Sequence, residues 1–249
     1  MGVHAGNSLW HHPTPAPPHK GEGKTTGRPP LNDPAEKRFH FYGRRKGKTL
    51  RRHHSGLMEQ LLPHLRADLS DPLDGTGDPR WLEIGFGGGE HIAHQAELHP
   101  EVSFIGAEAF VNGVAKLLAL AEEKNLANLR IHDGDARLLL EALPDASFER
   151  IYLLYPDPWP KTRHNKRRFV SPENLAQFHR ILKPGGLFLF ASDIDDYVAW
   201  TREHVSAHGG FREEGDPAQP YEDWIETRYE AKARREGRGS SYLRFRRWP

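Results

Sequence analysis

Residues 155–169, "YPDPWPKTRHNKRRF", set a carboxylate between two prolines, follow it with a tryptophan, and close on a run with five Lys/Arg and no acid in residues 161–168. Prolines 156 and 158 fix φ on both sides of Asp157 and bias the residues before them toward extended backbone, so the carboxylate is held in one place. Trp159 offers a stacking plane for a base, and Lys161 to Arg168 offer phosphate contacts. A second group of residues precedes this one. Gly85, Gly87 and Gly89 follow Glu83 in "LEIGFGGGE", where glycine lets the backbone turn sharply and approach a ligand. The dinucleotide fingerprint needs glycine at the first, third and sixth places, and the sixth here is Glu90, which would face a pyrophosphate with a carboxylate. Glu108, 25 residues after Glu83, has the reach to accept both hydroxyls of a ribose. Asp135, in "HDGD", is suited to accept from an adenine amino group.

These residues need a scaffold that brings them together. From Trp81 the chain alternates: "RWLEIGF", "VSFIGAE", "NLRIHDGD", "FERIYLLY" and "LFLFASD" read as five strands. Helices are expected near 89–98, through Val114, Leu117, Leu118 and Ala121 at i, i+3, i+4, i+7, and over "SPENLAQFHRIL" with Ser171 as N-cap and Pro172 at the first helical position. "KPGG" is expected to end that last helix. An earlier helix is expected over 56–69, kinked or split at Pro63, with a turn-rich linker after it. Alternating strands and helices imply a doubly wound α/β fold with a mainly parallel sheet covered on both faces. In that fold ligands bind beyond the carboxyl ends of the strands, where all the residues singled out above fall.

Composition narrows the classes. At 249 residues the chain fits one large domain with a tail, and it has no cysteine, which excludes disulfides, thiolate zinc sites and cysteine nucleophiles. Residues 1–36 are rich in Pro, Gly, His and Thr with almost no large apolar residues, so a disordered tail is expected ahead of a domain over 37–249. Sixteen histidines do not make a metal site: His91 and His94 have no third ligand in sequence reach, and none is expected. No apolar run is long enough to span a bilayer and no signal core is present, so a cytoplasmic protein away from membranes is expected. The net charge of +1 hides segregation, since residues 44–54 hold six Lys/Arg and no acid. Cation runs flanked by aromatics point to a polyanion partner.

Glycine at the first, third and fifth places resembles the signature of class I S-adenosylmethionine-dependent methyltransferases, whose cofactor has no phosphate. "LEIGFGGG", "YPDPWPKTRHNKRRF", "LKPGG", "ASD" and the late "TRYEAKARREG" together resemble the tRNA (guanine-N7-)-methyltransferase family over roughly residues 38–247. The resemblance implies a Rossmann-like class I sheet with an antiparallel last strand, S-adenosylmethionine as cofactor, tRNA as partner, and methylation of the guanine at position 46 of the variable loop. It places cofactor binding on Glu83, Gly85, Gly87, Glu108 and Asp135 and the catalytic-loop acid on Asp157. Substrate contacts fall on Lys161, Asp193, Thr227, Arg228, Tyr229 and Glu230, and RNA contacts on Arg163, His164, Asn165, Lys166, Arg167 and Arg168. Many relatives read Thr-Lys-Phe-Glu where this chain has Thr227-Arg228-Tyr229-Glu230; charge and aromatic character are kept. A monomer or weak homodimer is expected.

Guanine N7 carries a lone pair and no proton, so no general base is needed, and alignment supplies most of the catalysis. A fixed carboxylate can accept both N–H groups of guanine's Watson–Crick edge, which makes Asp157 or Asp193 the expected clamp. The nearest alternative is an amino-group methyltransferase acting on adenine or cytosine, whose Asn/Asp-Pro-Pro-aromatic motif occupies the same strand end; "DPW" lacks the second proline. A nicotinamide-dependent oxidoreductase is opposed by Glu90, and a silent RNA-binding module by the intact set of acids.

Overall fold

The computed structural model describes residues 39–249, so the tail expected over 1–36 lies outside the described residues. One seven-stranded sheet runs β3-β2-β1-β4-β5-β7-β6. Its strands are β1 (Arg80–Ile84), β2 (Ser103–Ala107), β3 (Leu129–His132), β4 (Phe148–Leu154), β5 (Leu182–Ser192), β6 (Phe211–Glu214) and β7 (Ser241–Arg247). β1 to β5 pair in parallel, and β7 lies antiparallel to both β5 and β6. The doubly wound order and the antiparallel last strands are those expected.

Near-continuous apolar strands mark a sheet buried on both faces, and successive residues divide between two cores. Leu82, Ile84, Ile151, Leu153, Phe188 and Phe190 pack with α5 (Ala136–Ala142), α6 (Pro172–Ile181) and α7 (Asp195–His208). Trp81, Phe104, Tyr152, Leu154 and Leu189 pack with α1 (Arg52–Gln60), α2 (Leu62–Leu65), α3 (Glu90–Leu98) and α4 (Val111–Lys124). The expected stripe on α4 is buried in the second core. A last helix, α8 (Arg228–Arg235), precedes β7. Ser171 caps α6 as its sequence implies, its hydroxyl accepting from Asn174 N–H at 3.3 Å, with Pro172 at the first turn.

Two elements differ from expectation for identifiable reasons. The first helix starts earlier, at Arg52, and breaks at Leu61 into α1 and α2. Pro63 lacks the N–H a continuous helix needs and is tolerated in the first turn of a new one. The helix stops before Ala67, whose N–H is taken by Ile131 C=O at 2.9 Å. α6 ends at Ile181, just before "KPGG" as expected, but β5 already starts at Leu182, earlier than the strand expected over "LFLFASD", and Leu182 pairs with Phe148 across a register shift. Pro184 and Gly185, at φ 78°, sit in that irregular entry, where a missing N–H and a positive φ are tolerated.

Phe178 lies fully buried on α6 with its ring 4.9 Å from that of Phe188 on β5. Phe178→Ala is expected to cost about 3–5 kcal/mol in urea unfolding, with the m-value unchanged.

Candidate functional site

β1 and β4 are neighbours in the sheet but not in sequence, and the crevice beyond their carboxyl ends is the topological switch point. The strands end level, with Ile84 opposite both Ala107 and Leu153. Gly85 N–H then donates to Ala107 C=O at 2.8 Å, and Tyr155 N–H to Ala191 C=O at 2.7 Å, so both loops leave from one edge. A cleft of about 660 Å³ opens there, bordered by Gly85, Gly87, Glu108, Asp135, Asp157 and Tyr229 among others.

The glycine turn is required by space as well as by conformation. Gly87 has φ 58°, and a Cβ there would stand 3.0 Å from Arg228 Nη2 and 3.2 Å from the Tyr229 ring. Gly113, on α4, faces it so closely that a Cβ would meet Gly87 C=O at 2.2 Å. Glu108 ties the two sides together: Oε2 accepts from Gly87 N–H and Oε1 from Phe110 N–H, each at 2.8 Å. Burial pushes the Glu108 carboxyl above the usual glutamate range; backbone N–H groups pull it partly back and the nearby Asp157 charge adds to the rise. Asp135 caps α5 and accepts from Arg137 N–H and Nε at 3.0 Å and from Arg137 Nη2 at 2.5 Å. Its neighbour Asp133 is engaged by the Arg66 fork, at 3.0 Å for both bonds.

Glu83 departs from the expected cofactor contact. It is buried behind the glycine turn, 2.7 Å from His91 Nδ1, and does not border the cleft. Its carboxylate supports the first turn of α3 from within.

The Pro-Asp-Pro loop is stiffer than its prolines alone make it. Tyr155 and Trp159, each directly before a proline, have φ 48° and 46°. The sequence rule places a residue before proline in extended backbone at negative φ, so for Tyr155 that expectation fails. Bulky side chains at positive φ are strained by about 1–2 kcal/mol each and persist only where surroundings hold them. Tyr155 donates its hydroxyl to Ser240 Oγ at 2.9 Å and lies near-parallel to Tyr229 with centroids 6.5 Å apart. Trp159 meets Tyr42 and His164 edge to face at 6.1 and 6.0 Å, and the Arg167 guanidinium lies 4.6 Å from the Tyr42 ring and 4.9 Å from Trp159. Asp157 is open to solvent at the cleft mouth, yet the walls exclude enough water to push its carboxyl above the usual range.

The basic run folds as a 3₁₀ turn over Thr162–Arg167. Lys161, Arg163 and Lys166 are exposed and pair with no acid among the described residues. Lys166 and Arg167 border the cleft. Arg168 also borders the cleft but differs from the sequence expectation: its side chain has no exposed surface, and its donors are taken by Pro158 C=O and Asp196. The late motif also divides. Tyr229 enters the cleft wall, and Arg228 stands beside Gly87. Thr227 caps α8, accepting from Glu230 N–H at 3.2 Å, and Glu230 accepts from Trp224 Nε1 at 2.8 Å and from the Tyr242 hydroxyl. These two shape the motif from inside. Asp193 does not border the cleft and is held by Arg238 at 2.8 Å.

Sequence reasoning missed one wall. Residues 39–44, Phe-His-Phe-Tyr-Gly-Arg, line the cleft as a strap across it. Arg137 Nη2 donates to His40 C=O at 3.2 Å, Val111 N–H to Arg45 C=O at 3.0 Å, and the Asn112 side chain clasps Gly47 N–H and Lys48 C=O at 2.7 Å each. The signal was there in the aromatic–basic composition of 39–48, but without regular periodicity it carries no position. Among the described residues no cluster of three or more His, Asp or Glu is placed to hold a metal ion, and no helix is long and apolar enough to cross a membrane.

A family described as "Putative methyltransferase" matches residues 78–243. A tRNA (guanine-N(7)-)-methyltransferase of Agrobacterium fabrum is 54% identical over 219 residues, covering 82% of this chain and 94% of the relative. One from Mesorhizobium japonicum is 51% identical over 230 residues, covering 87% and 98%. Among solved structures, the 16S rRNA methyltransferase KamB superposes with a TM-score of 0.50 at 18% identity, over 82% of this chain and 98% of that one, which supports the fold. With its cleft, its acids and its rigid basic loop built as above, this chain belongs to the tRNA (guanine-N7-)-methyltransferase family.

Proposed function

We propose that residues 37–249 form an S-adenosylmethionine-dependent methyltransferase domain that transfers a methyl group to N7 of guanine in tRNA, at position 46 of the variable loop. The observation carrying this reading is the joining of two half-sites at one strand edge: an acid-bearing cleft, and a rigid carboxylate beside cations that pair with no acid among the described residues. The cleft fits an adenosyl group. Gly87 leaves its floor without a side chain, Ala109, Ala136 and Leu153 give apolar walls, and Glu108 and Asp135 bring carboxylates to the ends of β2 and β3. Each carboxylate keeps acceptor capacity beyond its present bonds, since two oxygens offer about four lone-pair directions. When bound, S-adenosylmethionine supplies an electrophilic methyl group.

The chain's own residues then have positional tasks. Glu108 and Asp135 accept from ribose hydroxyls and the adenine amino group. Asp157, on its strained loop, accepts from the N–H groups of guanine's Watson–Crick edge and holds N7 in line; Asp193, occupied by Arg238 and off the cleft, is the weaker choice for this clamp. Tyr229 and Trp159 offer stacking for a base drawn from its own stack. Lys161, Arg163 and Lys166 neutralise phosphates. No proton has to be removed, because N7 attacks with a lone pair.

Labelled methyl transfer to unmodified tRNA, followed by nucleoside analysis, is expected to give 7-methylguanosine. Asp157→Ala is expected to lose at least about 100-fold in kcat, the scale of a misplaced reacting group. Methylated adenosine or cytidine would instead support the amino-group reading. Calorimetric titration with S-adenosylhomocysteine tests the cofactor acids: Glu108→Gln should weaken binding about tenfold or more, the loss of charge-assisted hydrogen bonds. The sign of the pH effect follows from the raised Glu108 carboxyl. Acidification protonates it at a pH above the ordinary 4.5 and removes an acceptor, so wild-type affinity should fall there while Glu108→Gln stays flat.

A further inference from the structure

Arg168 ends the basic run, and its environment is unlike that of any other cation in it. Its guanidinium has no exposed surface and lies 4.9 Å from the Tyr197 ring and 5.2 Å from Trp200. Nε donates to Pro158 C=O at 2.9 Å, one residue from Asp157, while Nη2 binds the Asp196 carboxylate and Nη1 reaches Asp196 C=O at 3.4 Å. Asp196 lies in the first turn of α7, and the same helix holds the far side of the loop: Tyr197 Oη accepts from Phe169 and Val170 N–H at 3.0 and 3.3 Å, and Trp200 Nε1 donates to Val170 C=O at 2.9 Å. Burying a guanidinium is costly unless its donors are met and opposed by charge. Here they are met by one carbonyl of the strained loop and one end of a packed helix.

From these contacts we propose that Arg168 is a positioning residue for the reaction: its planar fork bolts the Pro156-Asp157-Pro158 segment to α7 and thereby fixes where the Asp157 carboxylate meets the base. The inference rests on the reading that the chain methylates guanine in tRNA, which wild-type turnover reports independently of any variant. A rigid fork is the property used, since a lysine ammonium at the same place cannot serve Pro158 C=O and Asp196 together in the same plane. Charge alone is not the property used, which separates Arg168 from Arg163 and Lys166.

Steady-state kinetics of Arg168→Lys, Arg168→Met and Arg163→Ala on tRNA at several salt concentrations distinguish the roles. For both Arg168 variants kcat should fall about tenfold or more while KM for tRNA and its salt slope stay within about twofold of wild type. Arg163→Ala should raise KM and lower the salt slope by about 0.7–0.9 with kcat kept. Should burial make the Arg168 variants unstable, Asp196→Ala supplies the same test, because Asp196 is 70% exposed and its loss leaves the stacking intact; kcat should then fall about threefold or more with KM unchanged. Wild-type kcat in Arg168→Lys, or a raised tRNA KM with unchanged kcat in Arg168→Met or Asp196→Ala, would overturn the proposal.

Discussion

The constraint on which the site depends is the left-handed backbone at Tyr155 and Trp159, on either side of the Pro-Asp-Pro segment. Neither residue adopts that conformation readily, and each precedes a proline that disfavours departures from extended backbone. The loop is therefore held from outside: β5 takes Tyr155 N–H, Ser240 takes its hydroxyl, and Arg167 lies against both Trp159 and Tyr42. Strain of this kind is stable only where the surroundings over-determine it, and the two cores of the sheet provide that rigidity. Under the proposed function, what the fold gains is a carboxylate whose place is set before a base arrives, which lowers the ordering required at the moment of transfer.

The same economy appears at the ends of β2 and β3. Glu108 and Asp135 are not idle acids at strand ends. One straps the glycine turn to the start of α4 and the other caps α5 while gripping Arg137. Burial raises the Glu108 carboxyl, and the Asp157 charge adds a smaller rise. Arg137 also reaches the strap through His40 C=O, which puts the cleft wall, Asp135 and the Tyr42–Arg167–Trp159 contact in one connected set.

Much of this was legible in the sequence because it rests on local rules. Alternating apolar runs fixed the strands, Ser171 and Pro172 the start of α6, and Gly85-Phe86-Gly87 the turn. The acids at 108, 135 and 157 fall on the cleft because strand ends in a doubly wound sheet converge. What stayed hidden was direction. The run from Lys161 to Arg168 reads as uniform charge, yet a 3₁₀ turn points Arg163 and Lys166 outward and leaves Arg168 under α7. Glu83 reads as one more acid on the strand edge, but the alternation of β1 turns it toward His91. The strap over 39–44 has no periodicity, α7 and β6 have weak patterns, and α8 is almost wholly polar with only Ala233 buried, so tertiary packing locates them.

Under the proposed function, Asp157 recognises guanine by its Watson–Crick edge and does no proton transfer. That role is tested most directly by single-turnover methyl transfer in a cycle pairing wild type and Asp157→Asn with tRNA carrying guanosine or inosine at the target position, since inosine lacks the 2-amino donor. A clamp gives strongly non-additive losses, with inosine costing the wild type far more than it costs Asp157→Asn. Losses that simply add would contradict the clamp and leave the rigid acid without contact to the base.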